Sequence, residues 1–160
     1  GLSMGGTLTL WLASQRPSIA GIVCVNPAAQ AMPEEIVSAI DGMLTEGTEV
    51  IPGIGSDIAD PDTTENAYSG TPIRPLLSFI ADGLKPLAER LPEIKVPLLL
   101  FTSTQDHVVS PADSDFIVAT YGGAVEQVKL ERSYHVATQD FDKQIIFDGA
   151  VNFAFAVAES

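Results

Sequence analysis

The sequence has little cysteine and few basic residues, and each shortage excludes a class of protein. Cys24 is the only cysteine among 160 residues, so an intrachain disulfide and a metal site of the C-x-x-C type are both excluded. Eight Lys and Arg residues stand against 21 Asp and Glu residues, which gives a formal net charge of −13 at pH 7. Nucleic acid is therefore not an expected partner, because binding its phosphate backbone requires clustered positive charge. The acidity is interpreted as a solubilising surface, and an electrostatic role in substrate choice is the alternative.

The sequence also lacks a long uninterrupted apolar run. It contains no stretch of about 18 apolar residues and no basic segment followed by an apolar one, so we expect neither stable membrane insertion nor a signal peptide in these residues. A cytoplasmic location is expected, and a signal in a preceding segment would change that expectation. Hydrophobic residues make up 46% of the chain, which is enough for one core and predicts one domain or most of one.

Short apolar runs alternate with segments that have helical spacing. Runs rich in valine, isoleucine and leucine suit strands that are covered on both faces. We predict strands over 21–25, 96–101 and 125–130, and helices over 4–16, 73–91 with an interruption at Pro86, 110–121 and 141–158. Strands that alternate with helices indicate βα units and a parallel sheet. Cys24 is expected to be a small buried hydrophobe, and most apolar side chains of the closing helix are expected to be buried.

Residues 30–72 interrupt this alternation. Proline and glycine recur throughout the stretch, and its one helical candidate covers residues 33–44. A stretch of this kind between two buried strands is typical of an inserted cap or lid. The core would then consist of residues 1–29 and 73–160.

The chain begins with a G-x-S-x-G motif, Gly1-Leu2-Ser3-Met4-Gly5. The glycines leave room for a serine on a sharp strand-to-helix turn, the nucleophile elbow. Such an elbow follows a strand, so we expect the chain to be the C-terminal part of a larger domain. The backbone N–H of Met4, directly after the serine, is the predicted oxyanion donor. Glycine and serine are common in turns, so the motif alone is only moderately specific.

A serine hydroxyl needs a base within hydrogen-bond reach and a third group that orients the base. In the α/β-hydrolase arrangement the chain order is serine, acid, histidine, and Ser3, Asp106 and His135 satisfy that order. His107 is the weaker candidate base. It adjoins Asp106, and neighbouring side chains in an extended loop point apart.

Two further carboxylates follow the second predicted strand. Asp113 and Asp115 fall inside the helix predicted over 110–121, which should begin with Ser110 as its cap and Pro111 in its first turn. Both carboxylates are interpreted as solvated residues of the helix surface rather than as catalytic acids.

Four sequence segments carry a resemblance to a known family. They are residues 1–6 (GLSMGG), 51–58 (IPGIGSDI), 106–109 (DHVV) and 133–138 (SYHVAT). Together they resemble the bacterial monoacylglycerol lipases and related small carboxylesterases of the α/β-hydrolase fold. The similarity extends over essentially all 160 residues, and the segment 51–58 is much more specific than the elbow. The resemblance implies the C-terminal part of a mostly parallel sheet flanked by helices, with a small inserted cap.

The resemblance also implies a function and site residues. Ser3 would be the nucleophile, Asp106 the orienting acid and His135 the base of a serine esterase that hydrolyses monoacylglycerols through an acyl-enzyme. Ile54 would line the acyl tunnel and Glu65 would contact glycerol hydroxyls; simple packing of the cap and a solvated surface position are the respective alternatives. The second oxyanion donor would come from a family segment that precedes residue 1.

The expected ligands and partners are few. No metal and no organic cofactor is expected, the expected partner is a small lipid ester, and the apolar cap is compatible with a homodimer contact. The alternatives for the whole chain are a carboxylesterase of broad specificity and a noncatalytic hydrolase-fold fragment or binding protein.

Overall fold

A computed structural model describes residues 1–159. Five strands and six helices account for most of these residues. The strands are β1 (Ile22–Val25), β2 (Val50–Pro52), β3 (Gly70–Pro72), β4 (Leu98–Ser103) and β5 (Val125–Leu130). The helices are α1 (Met4–Gln15), α2 (Glu34–Thr45), α3 (Ile73–Ser78), α4 (Lys85–Arg90), α5 (Pro111–Thr120) and α6 (Lys143–Ala158).

A parallel sheet with the order β1-β4-β5 lies at the centre of the core. All six residues of β4 are buried, as expected for a strand covered on both faces. Before β1, Leu2 forms a parallel bridge to Val25, so the first residues run beside the end of β1. The predicted strands are confirmed, although β4 begins two residues late. Pro97 has no N–H to donate, and it contributes only its carbonyl, which accepts the N–H of Ile22 at 2.9 Å.

The predicted helix over 73–91 is continuous, and its irregularity lies elsewhere than predicted. Between α3 and α4 the chain forms a π-helical turn, Phe79–Leu84, and Pro86 sits in the first turn of α4. Pro86 has no N–H, and in a regular α-helix its ring would clash with the carbonyl of Asp82, so the wider turn directly before α4 accommodates the proline. The carbonyl of Gly83, inside the wide turn, accepts the indole N–H of Trp11 at 2.9 Å.

Residues 30–72 contain more regular structure than the sequence indicated. α2 covers the predicted helix and buries none of its residues. β2 and β3 form an antiparallel pair that was not predicted, with Val50 opposite Pro72 and Pro52 opposite Gly70. These proline and glycine residues argue against strands by propensity. A pair of three-residue strands tolerates them because few ladder hydrogen bonds are needed.

The prediction that α6 is mostly buried is wrong. Ile146 is its one buried residue, whereas Ile145, Val151 and Phe155 are exposed. One face of α6 lies on the sheet, where a side chain at Gly149 would come within 2.8 Å of the Phe101 ring. The opposite face is equally apolar, and apolar composition alone does not determine which face is covered. Among residues 1–159, no helix is both long enough and apolar enough to cross a membrane.

Candidate active site

Ser3 lies at the junction between the Leu2 bridge and α1. Its backbone has φ 53° and ψ −126°, a region that residues other than glycine rarely adopt and that is typical of strained functional positions. The N–H of Ser3 donates to Val25 O at 2.9 Å, and its carbonyl accepts the N–H of Thr7 at 3.1 Å. These bonds hold the serine on a sharp turn from sheet to helix, as the motif predicted.

Close packing around this turn requires glycine at two positions. A Cβ at Gly1 would overlap the backbone carbonyl of Gly5, and a Cβ at Gly6 would lie 2.9 Å from the Cβ of Pro27. A side chain at either position would displace the turn that carries Ser3. Gly1 of the motif and Gly6 directly after it therefore allow the backbone of the turn to pack closely against its neighbours.

The N–H of Met4, the predicted oxyanion donor, follows Ser3 directly at the start of α1. Met4 is the first residue of α1, where N–H groups have no partner within the helix. No backbone hydrogen bond within residues 1–159 uses this N–H. A helix N-terminus carries partial positive charge, which favours an anion or a developing oxyanion at that point.

Asp106 and His135 are in direct contact. The Oδ2 of Asp106 lies 2.8 Å from Nδ1 of His135, and their side chains are 1% and 8% exposed. The Oδ1 of Asp106 accepts the N–H groups of Val108 and Val109 at 2.8 Å each. An ionised carboxylate accepts hydrogen bonds only, so the bond to Nδ1 places a proton there and leaves Nε2 as the basic nitrogen.

Asn26, directly after β1, is a part of this site to which the sequence analysis assigned no role. It is buried at φ 47°, and its Nδ2 donates to the carbonyl of His135 at 2.8 Å and to Oγ of Ser103 at 3.0 Å. Its Oδ1 accepts the N–H of Ser103 at 2.7 Å. The tolerance of asparagine for left-handed backbone is the signal that marks this position.

His107 is held by a different carboxylate from the one that binds His135. Its side chain is 60% exposed, and its Nδ1 lies 2.8 Å from Oδ1 of Asp57. Its ring stacks edge-on against Tyr134, with centroids 4.5 Å apart. Asp106 therefore does not orient His107.

Asp57 belongs to the 51–58 segment that carries the family resemblance, but the sequence alone predicted no role for it. Burial raises the pKa of its carboxyl, but hydrogen bonds from the side chain and N–H of His107 and from the N–H of His135 outweigh burial, so the net pKa is lowered. Because those donors lie far away along the chain, only the folded structure shows the contact.

The interpretation of Asp113 as a solvated carboxylate is wrong, whereas Asp115 is exposed as expected. Oδ1 of Asp113 accepts the N–H groups of Ala29 and Gln30 at 2.7 and 2.8 Å. These donors belong to the loop after β1, and satisfying them fixes the loop. Asp113 therefore has a structural contact away from the Asp106–His135 pair.

A cavity of about 410 Å³ lies between residues 30–72 and the core. Its lining combines core residues near the elbow with residues from the 30–72 segment. Among the sequence-predicted site residues, it is lined by Ser3, Met4, Ile54, Glu65 and His135. Asp106 lies behind His135, outside the lining. Within residues 1–159, no group of three or more His, Cys, Asp or Glu side chains is placed to hold a metal ion.

A comparison with known protein families finds a match over most of the chain. A family model described as serine aminopeptidase, S33, matches residues 1–142. The chain belongs to this family. Its sheet order, its elbow and its flanking helices are those of part of an α/β-hydrolase, so the predicted fold class is confirmed.

Individual relatives of this S33-family chain are longer than the chain itself. A thermostable monoacylglycerol lipase from Bacillus sp. (strain H-257) is 40% identical over 157 residues, which cover 96% of the chain and 60% of that lipase. A solved structure from work on LipS and LipT, two metagenome-derived lipolytic enzymes, is 36% identical with a TM-score of 0.87 and covers 100% of the chain and 64% of its own. The monoacylglycerol lipase of Paleococcus ferrophilus shares the fold at 21% identity with a TM-score of 0.73; the match covers 100% of this chain and 67% of that one.

Proposed function

We propose that the protein is a serine ester hydrolase in which Ser3 is the nucleophile, His135 the base and Asp106 the orienting acid. The observation that carries this proposal is the 2.8 Å contact between Asp106 and His135 Nδ1, beside a cavity that His135 and the strained Ser3 both line. A hydroxyl, a base and an orienting carboxylate in this relation are what acyl transfer requires.

The reaction proceeds in two steps. Ser3 Oγ attacks the ester carbonyl while His135 Nε2 takes the hydroxyl proton, and the N–H of Met4 stabilises the oxyanion. The tetrahedral intermediate collapses, the ester bond breaks, and the leaving alcohol receives the proton from His135. A water molecule that His135 activates then attacks the acyl-enzyme, which releases the carboxylic acid and restores Ser3.

The proposed substrate is a monoacylglycerol, which the reaction splits into a fatty acid and glycerol. Support comes from the relative named a thermostable monoacylglycerol lipase, at 40% identity. Ile54 and Glu65 line the same cavity as Ser3. We assign Ile54 to the acyl chain and Glu65 to the glycerol hydroxyls, because an apolar side chain suits a hydrocarbon and a carboxylate accepts hydrogen bonds from hydroxyls.

In this proposal residues 30–72 are the cap, and residues 1–29 and 73–160 belong to the core. Several apolar residues of the cap are exposed, among them Ile36, Met43 and Val50. These exposed apolar side chains support the proposal of a homodimer contact through the cap. That contact and a cytoplasmic location stay predictions. Size-exclusion chromatography with light scattering measures the first, and cell fractionation measures the second.

A carboxylesterase of broad specificity is the second candidate. It is favoured by the open rim of the cavity, where the side chains of Ile54 and Tyr68 are 71% and 94% exposed. The ratio of kcat/KM for a monoacylglycerol to that for the methyl ester of the same acid separates the two candidates. A ratio well above one supports the lipase, and a ratio near one supports the broad esterase.

Labelling with a fluorophosphonate probe tests the hydrolase itself. The full-length wild-type protein should form an adduct at Ser3, because such probes react with an activated serine. Ser3→Ala and His135→Ala should abolish both the adduct and ester hydrolysis while the fold is retained, and Ser18→Ala, a change at an exposed serine, should leave both unchanged. Wild-type turnover in either active-site variant would rule out this mechanism.

A further inference from the structure

One carboxylate of the 30–72 segment contacts both loops that carry the acid and the base. Oδ2 of Asp57 accepts the N–H of His135 at 3.0 Å and the N–H of His107 at 3.1 Å. Its Oδ1 lies 2.8 Å from His107 Nδ1, and its own carbonyl accepts the N–H of Val136 at 3.1 Å. Asp57 therefore joins the segment to the loop after β4 and to the loop after β5.

We propose that Asp57 is a positioning residue for His135. The position of His135 relative to Ser3 then depends on the correct packing of the 30–72 segment against the core. The inference rests on the proposed hydrolase function. Asp106 orients the ring of His135 at Nδ1, whereas the main chain is held separately, by Asp57 at the N–H and by Asn26 at the carbonyl. Reaction requires Nε2 to reach Ser3, so both the ring angle and the backbone position have to be correct.

His107 restrains the Asp57 carboxylate. Its Nδ1 engages the carboxylate oxygen of Asp57 that His135 does not use, and its ring rests edge-on against Tyr134. The carboxylate is thus held at both oxygens, which limits its rotation. This gives the exposed histidine a role distinct from that of a base.

A second carboxylate holds the same segment without contacting His135. Asp140 is fully buried and accepts four N–H groups, those of Ala59, Asp60, Tyr134 and Phe141, at 2.8 to 3.1 Å. The segment therefore keeps an anchor two residues beyond Asp57 when the Asp57 carboxylate is removed. We expect Asp57 variants to fold for this reason.

The test compares four variants of the full-length protein in ester hydrolysis. Asp57→Ala should lower kcat by about ten- to a hundredfold, the scale on which a misplacement of about 1 Å acts. KM should stay nearly constant, because the lost effect belongs to the transition state. Asp57→Asn should recover most of kcat, since its amide oxygen can still accept the His135 N–H. Asp57→Glu, one methylene longer, should be impaired. Asp62→Ala, which removes an exposed carboxylate of the same segment, is the matched control with wild-type kcat.

A second readout separates positioning from substrate contact, since Asp57 also lines the cavity. The rate at which a small fluorophosphonate labels Ser3 should fall by the same factor as kcat in Asp57→Ala. Wild-type kcat in that variant would overturn the inference, and so would a raised KM at unchanged kcat. If Asp57→Ala does not fold, wild-type kcat in both Asp57→Asn and Asp57→Glu overturns it. A wild-type protein that the probe does not label would reject the proposed function, and this inference with it.

Discussion

Replacing Asp106 with asparagine tests the proton at His135 Nδ1. Oδ1 of Asp106 accepts two backbone N–H groups, those of Val108 and Val109, and Oδ2 faces His135 Nδ1. The amide has a single oxygen, which stays on the two N–H groups because an NH₂ group there would oppose two donors. The NH₂ group then donates to Nδ1 of His135, the ring proton moves to Nε2, and Nε2 can no longer accept a proton from Ser3.

We expect kcat to fall by about 10⁴-fold, as the same change does in a serine protease triad. At 1.36 kcal/mol for each factor of ten, this is about 5.4 kcal/mol of activation free energy. The fold should lose little stability, because both N–H groups keep their acceptor. Asp106→Ala, by contrast, removes the acceptor of both N–H groups. Because the Asp106 side chain is only 1% exposed, the loss should destabilise the fold by about 1–3 kcal/mol for each unpaired group.

The assay is steady-state hydrolysis of a short-chain p-nitrophenyl ester by full-length variants, with thermal unfolding measured in parallel. Asp115→Asn, which changes an exposed carboxylate on α5, is the matched control and should keep wild-type kcat. An Asp106→Asn protein with kcat within about tenfold of wild type would refute this reasoning about the His135 tautomer.

Two further predictions concern Cys24 and Asp57. Burial raises the pKa of the Cys24 thiol to about 12, and the thiolate is the reactive form. A thiol reagent at about pH 8 should therefore modify Cys24 only as fast as the protein unfolds locally around it. Rapid labelling of the native protein would contradict this prediction. Burial raises the pKa of the Asp57 carboxyl, but its hydrogen bonds lower that pKa more strongly. The ionised Asp57 should therefore stabilise the folded protein at a pH above its ordinary pKa of 3.8. This stabilisation should disappear as the pH falls through the lower pKa of the folded state. Urea unfolding as a function of pH should then show a smaller acid loss in Asp57→Asn than in wild type; equal losses would exclude the effect.

Local sequence signals predicted the elements that depend on local chemistry. The apolar run at β1, the Ser110-Pro111 start of α5 and the glycine-serine turn before α1 all lie where the sequence placed them. Ser110 Oγ indeed accepts the N–H of Ala112, at 3.3 Å. These features involve neighbouring residues, so composition and spacing are enough to reveal them.

The features that the sequence did not reveal depend on contacts between distant residues. Asn26 bonds to His135 across 109 positions, and Asp57 bonds to it across 78. In both bonds the partner atom on His135 belongs to the backbone, so no pattern of side-chain types records the contact. The exposed face of α6 was missed for a related reason, since contacts with distant residues decide which apolar face of a helix is covered. Such contacts also decide whether a segment rich in proline and glycine forms strands, as it does in the pair of β2 and β3.

The buried carboxylate of Asp140 joins partners that lie at very different distances along the chain. Its two acceptor contacts to Ala59 and Asp60 span 81 and 80 positions, whereas its contacts to Tyr134 and Phe141 are local. The local pair can form as soon as the chain after β5 turns, but the distant pair needs a long loop to close first. Residues 57–60 should therefore dock after these two local contacts have formed, and we expect native-state hydrogen exchange to show earlier exchange of the Ala59 and Asp60 amide protons than of those in the central strands.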